Sequence, residues 1–175
     1  MRFVAFLRGI NVSGQKIIKM DALKAMFVAA GFQHVVTYIQ SGNVLFDVNE
    51  SDTVLLRHKV EALIKNGVGF EVPTIIRSID EIKNAIERNP CPLVVTEEGR
   101  KLYVHFLSET PAAGKIALLH PALLPGEELH HVDRELYFVT PGAGNTKLTN
   151  ALMEKKLGVV STARNWATVN KVVGL

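Results

Sequence analysis

The chain has 175 residues, 47% of them hydrophobic and 21% charged, with a formal net charge of +3. That balance belongs to a globular protein of one ordinary domain or two small ones, and it excludes a disordered chain, a collagen-like repeat and a disulfide-stapled miniprotein. No apolar run approaches the roughly 18–20 residues that cross a bilayer, and a single cysteine, Cys91, cannot form an internal disulfide.

Charge at Arg2 and Arg8 brackets only a short apolar stretch, so neither a signal peptide nor an anchor is expected at the N-terminus. A cytoplasmic protein with no membrane partner is expected. Phe3 to Leu7 reads as a buried strand, followed by the polar loop Asn11 to Gln15. Met20, Leu23, Met26, Phe27 and Ala30 then recur at helical spacing, with Gly31 as a stop. Val35 to Ile39 and Val44 to Val48 are β-rich runs around Gln40-Ser41-Gly42-Asn43, a hairpin signal. Ser51 is expected to cap a second helix that carries Leu56, Val60, Leu63 and Ile64 on one face and ends near Gly67. Phe70 to Arg77 closes the unit as a strand. The order is βαββαβ, a ferredoxin-like arrangement.

A helix with a capping box at Ser78 and Glu81 follows, and Asn89-Pro90-Cys91-Pro92 ends it by removing backbone donors. The second half repeats the pattern. Lys101 to Leu107 is a strand and Pro111 to His120 a short helix. Glu127 to Val132 and Glu135 to Thr140 pair about Asp133-Arg134. A helix over 147–157 stops at Gly158, and a last helix begins near Ser161 or Thr162 with Trp166, Val169 and Val173 on one side. The expected fold is therefore α+β, with two ferredoxin-like βαββα(β) halves packed together. Residues 1–78 form the first, 79–100 a connecting helix and linker, and 101–175 the second.

The charge is unevenly spread. Residues 1–46 carry five Lys or Arg against Asp21, and residues 141–175 carry five against Glu154, a local +4 at each end. Two basic ends around an acidic middle make one positive patch if the fold joins them; otherwise they are ordinary solvated faces. There is no polybasic tract of the kind that binds nucleic acid or a membrane surface.

Three polar segments stand at the ends of apolar elements: Leu7 to Gly14, Tyr38 to Asn43, and Thr162 to Val169. At these residues the sequence resembles the bacterial family known as domain of unknown function 1697. That family has L-R-G-I-N-V-G-G near the start, Y-I-Q-S-G-N in a hairpin and T-R-N-W-x-T-V near the end. Here Ser13 replaces a glycine in the first motif. Lys19-Met20 matches a family helix start, and Thr146-Lys147-Leu148 is similar to the family's S-K-L. The resemblance covers essentially the whole chain. It implies a compact α+β protein of two ferredoxin-like halves, with no established activity.

The residue types in the motifs argue for a kind of chemistry. Arg8, Asn11, Gln40, Ser41, Asn43, Lys147, Arg164 and Asn165 are cationic or neutral hydrogen-bonders, and none is a carboxylate, histidine or thiol. Acid–base catalysis needs a group that titrates near neutrality, and a metal needs imidazole, thiolate or carboxylate ligands. Donors without a base suit an anion such as a phosphate, a carboxylate or a nucleotide. The expected function is binding of such a ligand between the halves, with Arg8 and Arg164 supplying charge and Lys147 at the rim. A structural reading accounts for the same residues: Arg8 ends a strand, Gln40 to Asn43 form a turn, Asn165 caps a helix and Trp166 anchors a core.

Two other functions stay open, a phosphoryl- or acyl-transfer enzyme that recruits a carboxylate such as Glu127 or Asp133, and a protein-interaction module. Pro141 to Lys147 lies between a strand and a helix, where backbone amides can face a phosphate, yet it lacks the Walker A spacing, and Thr146 as a cap explains it equally. No metal or cofactor is expected. Cys91 has no histidine near it in sequence and reads as a small buried hydrophobe, while His130 and His131 point to opposite faces of a strand. Nucleic acid is not an expected partner, because Val44 to Val48 lacks the basic-aromatic series of an RNA-recognition strand.

Overall fold

The computed structural model describes residues 1–96, 98–142 and 146–175, and for Val95 and Thr96 the backbone alone. It divides into two compact units, Met1–Lys83 with Lys171–Leu175, and Asn84–Asn170. The chain passes between the units within two helices, Ile79–Glu87 and Trp166–Val172, so the segment 79–100 is shared between the units.

In the first unit, β1 (Arg2–Leu7) is central in an antiparallel sheet. Its neighbours are β3 (Asn43–Asp47) and β4 (Thr74–Ser78), with β2 (Gln33–Tyr38) outside β3. Phe3, Ala5 and Leu7 point toward α1 (Met20–Ala29) and α2 (Thr53–Val68), where Leu23, Phe27, Leu56, Val60 and Ile64 complete a core. Phe46 is its aromatic centre, with ring centroids 5.5 Å from Phe27 and 4.7 Å from Phe32. Val4 and Phe6, on the other face of β1, are also fully buried, which is why this strand is apolar without alternation.

Boundaries shift for local reasons. The cap of α2 is Asp52 rather than Ser51, its carboxylate accepting from the amides of Val54 (2.9 Å) and Leu55 (3.1 Å). The helix runs through Gly67 and stops at Gly69, whose φ of 84° makes the left-handed turn that a helix end favours. β4 begins at Thr74 rather than Phe70, since Pro73 has no N–H for the ladder. Ser78 and Glu81 form the expected reciprocal cap of α3 (Ile79–Glu87).

The second unit has β5 (Lys101–Leu107), β6 (Glu128–Val132), β7 (Glu135–Thr140) and β8 (Ser161–Asn165) in the order β6-β7-β5-β8, all antiparallel. Counted along each unit, the strand order repeats that of the first sheet. Leu107, Leu119, Leu136, Phe138 and Leu148 form a core with Met153 and Leu157 of α4 (Asn150–Leu157).

Three expectations fail here. The expected helix over 111–120 is a 3₁₀ turn at Ile116–Ala122, because Gly114 adopts a φ of 80° and Pro121 removes a donor. The helix expected over 147–157 starts at Asn150, capped by Thr149 rather than Thr146. The segment from Ser161, expected to open the last helix, is β8; it pairs with the central β5 from Leu107↔Ser161 to Tyr103↔Asn165. Sheet pairing outweighs the local capping signal, and α5 (Trp166–Val172) begins four residues later than Thr162. Among the described residues, no helix is long and apolar enough to cross a membrane.

Candidate functional site

In the first unit, four of the expected ligand contacts build a polar scaffold at one end of the sheet. The Asn11 amide donates to the carbonyls of Ile18 (3.0 Å) and Gln40 (2.9 Å), while its oxygen accepts from the Ile18 amide (2.8 Å). A further contact of 3.4 Å reaches the Gln40 side-chain oxygen. Asn11 thereby ties the loop after β1 to the hairpin turn. Asn43, fully buried, donates to Tyr38 O (2.8 Å) and Ser41 Oγ (3.3 Å), which shapes the turn from inside. Gly42 completes the joint, accepting from the Leu7 amide at 2.9 Å with a φ of 79°. The half-buried Arg8 follows at once and donates its amide to Pro73 O (2.9 Å).

The remaining three lie in the second unit. Arg164 is 6% exposed and donates from Nη1 to Thr162 Oγ1 (2.9 Å) and Ala163 O (2.8 Å). Burial lowers its pKa to about 10, which leaves it cationic at neutral pH. Asn165 is exposed, and its side-chain oxygen caps α5 by accepting from the Thr168 amide (2.8 Å). Being consecutive in a strand, Arg164 and Asn165 point to opposite faces, whereas the expected helix would have kept them closer in direction. Lys147 is exposed just before α4. Of the carboxylates considered for group transfer, Glu127 accepts from the Leu124 amide (2.9 Å) and Asp133 pairs with Arg88.

A pocket of 270 Å³ opens within the second unit. Tyr103 and His105 of β5, Thr140 of β7, Ala163 of β8 and Thr149 and Asn150 at the start of α4 line it. The register explains the grouping. His105 pairs with Ala163 and Tyr103 with Phe138, so alternate residues of three strands share one face. His105 is 4% exposed, and its Nδ1 lies 3.2 Å from Asn150 Oδ1 and 3.4 Å from Ser161 Oγ. Burial drives its pKa down to about 4 and the Asn150 contact offsets this only partly, so the imidazole is neutral near pH 7. An acceptor at Asn150 places the ring proton on Nδ1 and leaves a lone pair on Nε2. No aspartate or glutamate is among the described lining residues.

Sequence reasoning missed this pocket. Of its walls, Ala163 in the segment Thr162 to Val169 and the polar segment before α4, Pro141 to Lys147, stand out in the sequence. Gly142 and Thr146 of that segment line the pocket, and residues 143–145 lie outside the described residues. His105 could have been found from strand alternation, which puts a titratable ring among Tyr103, Leu107 and the other inward residues of β5.

The fold defines a class: α+β proteins built from two four-stranded antiparallel sheets with the same internal strand order. Within that class, residues 1–137 match the family model for proteins of unknown function (DUF1697), and the chain belongs to that family. A solved structure described as the conserved bacterial protein SP0830 from Streptococcus pneumoniae is similar over 99% of this chain and 97% of its own. The TM-score is 0.74 at 21% identity, a likeness of fold. No curated protein matches.

Proposed function

We propose that this protein binds a small anionic or phosphate-bearing ligand, and that the second unit's pocket receives it. The observation that carries the reading is the lining itself: hydroxyls, an amide and a neutral imidazole gathered at the start of α4, with no carboxylate among the described lining residues to repel an anion. The N-terminal end of a helix carries partial positive charge, and Lys147 stands beside it in sequence. The volume, just below the roughly 300–1,000 Å³ of drug-sized sites, suits a small metabolite. His105 Nε2 adds an acceptor for a ligand hydroxyl. Binding is favoured over proton-transfer catalysis, because a histidine with a pKa of about 4 is a weak base near neutrality. We further read each unit as a ferredoxin-like module and the protein as cytoplasmic, in keeping with its single cysteine.

The test is thermal unfolding with inorganic phosphate, nucleoside phosphates and small carboxylates. A ligand at ten times its Kd stabilises by about 1.4 kcal/mol, which raises Tm by roughly 3–5 °C for a chain of this size. Ala163→Leu, which fills the pocket from β8, is expected to abolish the rise. No rise with any of these ligands at millimolar concentration contradicts the proposal, as does one that Ala163→Leu leaves intact.

A further inference from the structure

Cys91, Glu128 and His130 converge within the second unit, their ligand atoms all within 4.8 Å of one another. Nothing in the sequence hints at this. Cys91 follows α3 and the two others come from β6, so the fold alone supplies the histidine that Cys91 lacks nearby in the chain. Glu128 and His130 are two apart in a strand and therefore project from the same face. Cys91 is held by the prolines on either side and by a bond from its amide to Asn89 Oδ1 (2.9 Å).

We propose that these three side chains bind a divalent cation of the zinc type, independently of the pocket described above. A thiolate, an imidazole and a carboxylate are the ligand set that zinc accepts, and three protein ligands leave a fourth position open. With bonds of about 2.0–2.3 Å, tetrahedral geometry requires ligand atoms roughly 3.4–3.6 Å apart. His130 Nε2 and Glu128 Oε2 already stand 3.3 Å apart, the length of one tetrahedral edge. Closing the other edges asks for about 1 Å of side-chain rotation, and the side chains of Glu128 and His130 are 46% and 40% exposed. Arg100 donates to the other carboxylate oxygen, Oε1, at 2.5 Å. That bond orients the carboxylate, as outer partners of metal ligands do, and the metal takes Oε2 by replacing the proton that this oxygen shares with His130 Nε2. Cys91 is 6% exposed and carries a thiol; coordination exchanges its proton for the metal and releases it to solvent.

Cobalt(II) titration of the reduced full-length chain tests this. The expected result is one equivalent bound, with a thiolate-to-cobalt charge-transfer band and the intense visible bands of tetrahedral cobalt, both displaced by zinc. Cys91→Ser removes the charge-transfer band. His130→Ala and Glu128→Gln, at partly exposed positions that leave the fold intact, weaken binding at least tenfold, and they carry the test should Cys91→Ser fail to fold. Absence of the band at millimolar cobalt overturns the proposal. So does a band that neither His130→Ala nor Glu128→Gln alters, since that marks adventitious thiol binding.

Discussion

Acidification should destabilise the protein through His105. Its folded pKa of about 4 lies below its ordinary 6.5, so between those values the unfolded chain binds the proton and the folded one does not. For a depressed histidine, the neutral form favours folding above pH 6.5, and stability falls as the pH drops toward 4. Every tenfold difference in proton affinity between the folded and unfolded chain corresponds to about 1.4 kcal/mol. Working through the two pKa values, the loss from this one ring is about 1 kcal/mol at pH 5.5 and about 3 kcal/mol at pH 4. Carboxylates such as Asp47, which burial pushes up but which its bonds to and charge attraction from Arg2 and His34 together hold below the usual value, add their own slope in acid. The comparison must therefore be with His105→Asn, which keeps an amide near Nδ1 and does not titrate. Urea unfolding of both proteins at pH 7, 5.5 and 4 isolates the difference. The gap in stability should narrow by about 3 kcal/mol between pH 7 and pH 4. Parallel curves for the two proteins over that range would refute the assignment of a buried neutral imidazole.

Two substitutions probe the motif scaffold of the first unit. Gly42→Ala forces a side chain into a left-handed residue, with its Cβ 2.6 Å from Ile10 Cδ1 and 2.9 Å from Leu7 Cβ. Strain and overpacking together should cost about 2–4 kcal/mol, read as a lower urea midpoint with an unchanged m-value. Asn11→Gly keeps a residue that tolerates the φ of 54° and removes only the side-chain bonds. It should cost about 2–3 kcal/mol of unfolding free energy; a cost near zero would mean that Asn11 is held in place for a ligand and not for the loop.

The sheets were legible in the sequence because buried strands announce themselves as apolar runs. Lys101–Leu107 and Glu135–Thr140 appear where the pattern puts them, and Asn43 sits where the hairpin signal does. β8 was not legible. Ser161-Thr162-Ala163-Arg164-Asn165 is polar and small, with the look of a helix cap, and becomes a strand only because β5 needs a partner on that side. The difference carries through to the site. In a helix, Arg164 and Asn165 make a joint donor pair; in a strand, one turns inward to Thr162 and the other caps α5. The polar motifs were legible as positions but not as roles, since Asn11 and Asn43 spend their hydrogen bonds on backbone carbonyls and amides. The pocket was hidden because its walls come from three strands and a helix start that are far apart in the chain. The same holds for Cys91 and His130, which only the approach of β6 unites.

Ligand binding in the second unit's pocket is tested by backbone amide chemical-shift mapping of the chain during titration with inorganic phosphate and nucleoside phosphates. A ligand seated in the pocket gives saturable shifts concentrated at Thr140, Thr149, Asn150 and Ala163. Saturable shifts that bypass those amides, or none at millimolar ligand, would contradict binding there.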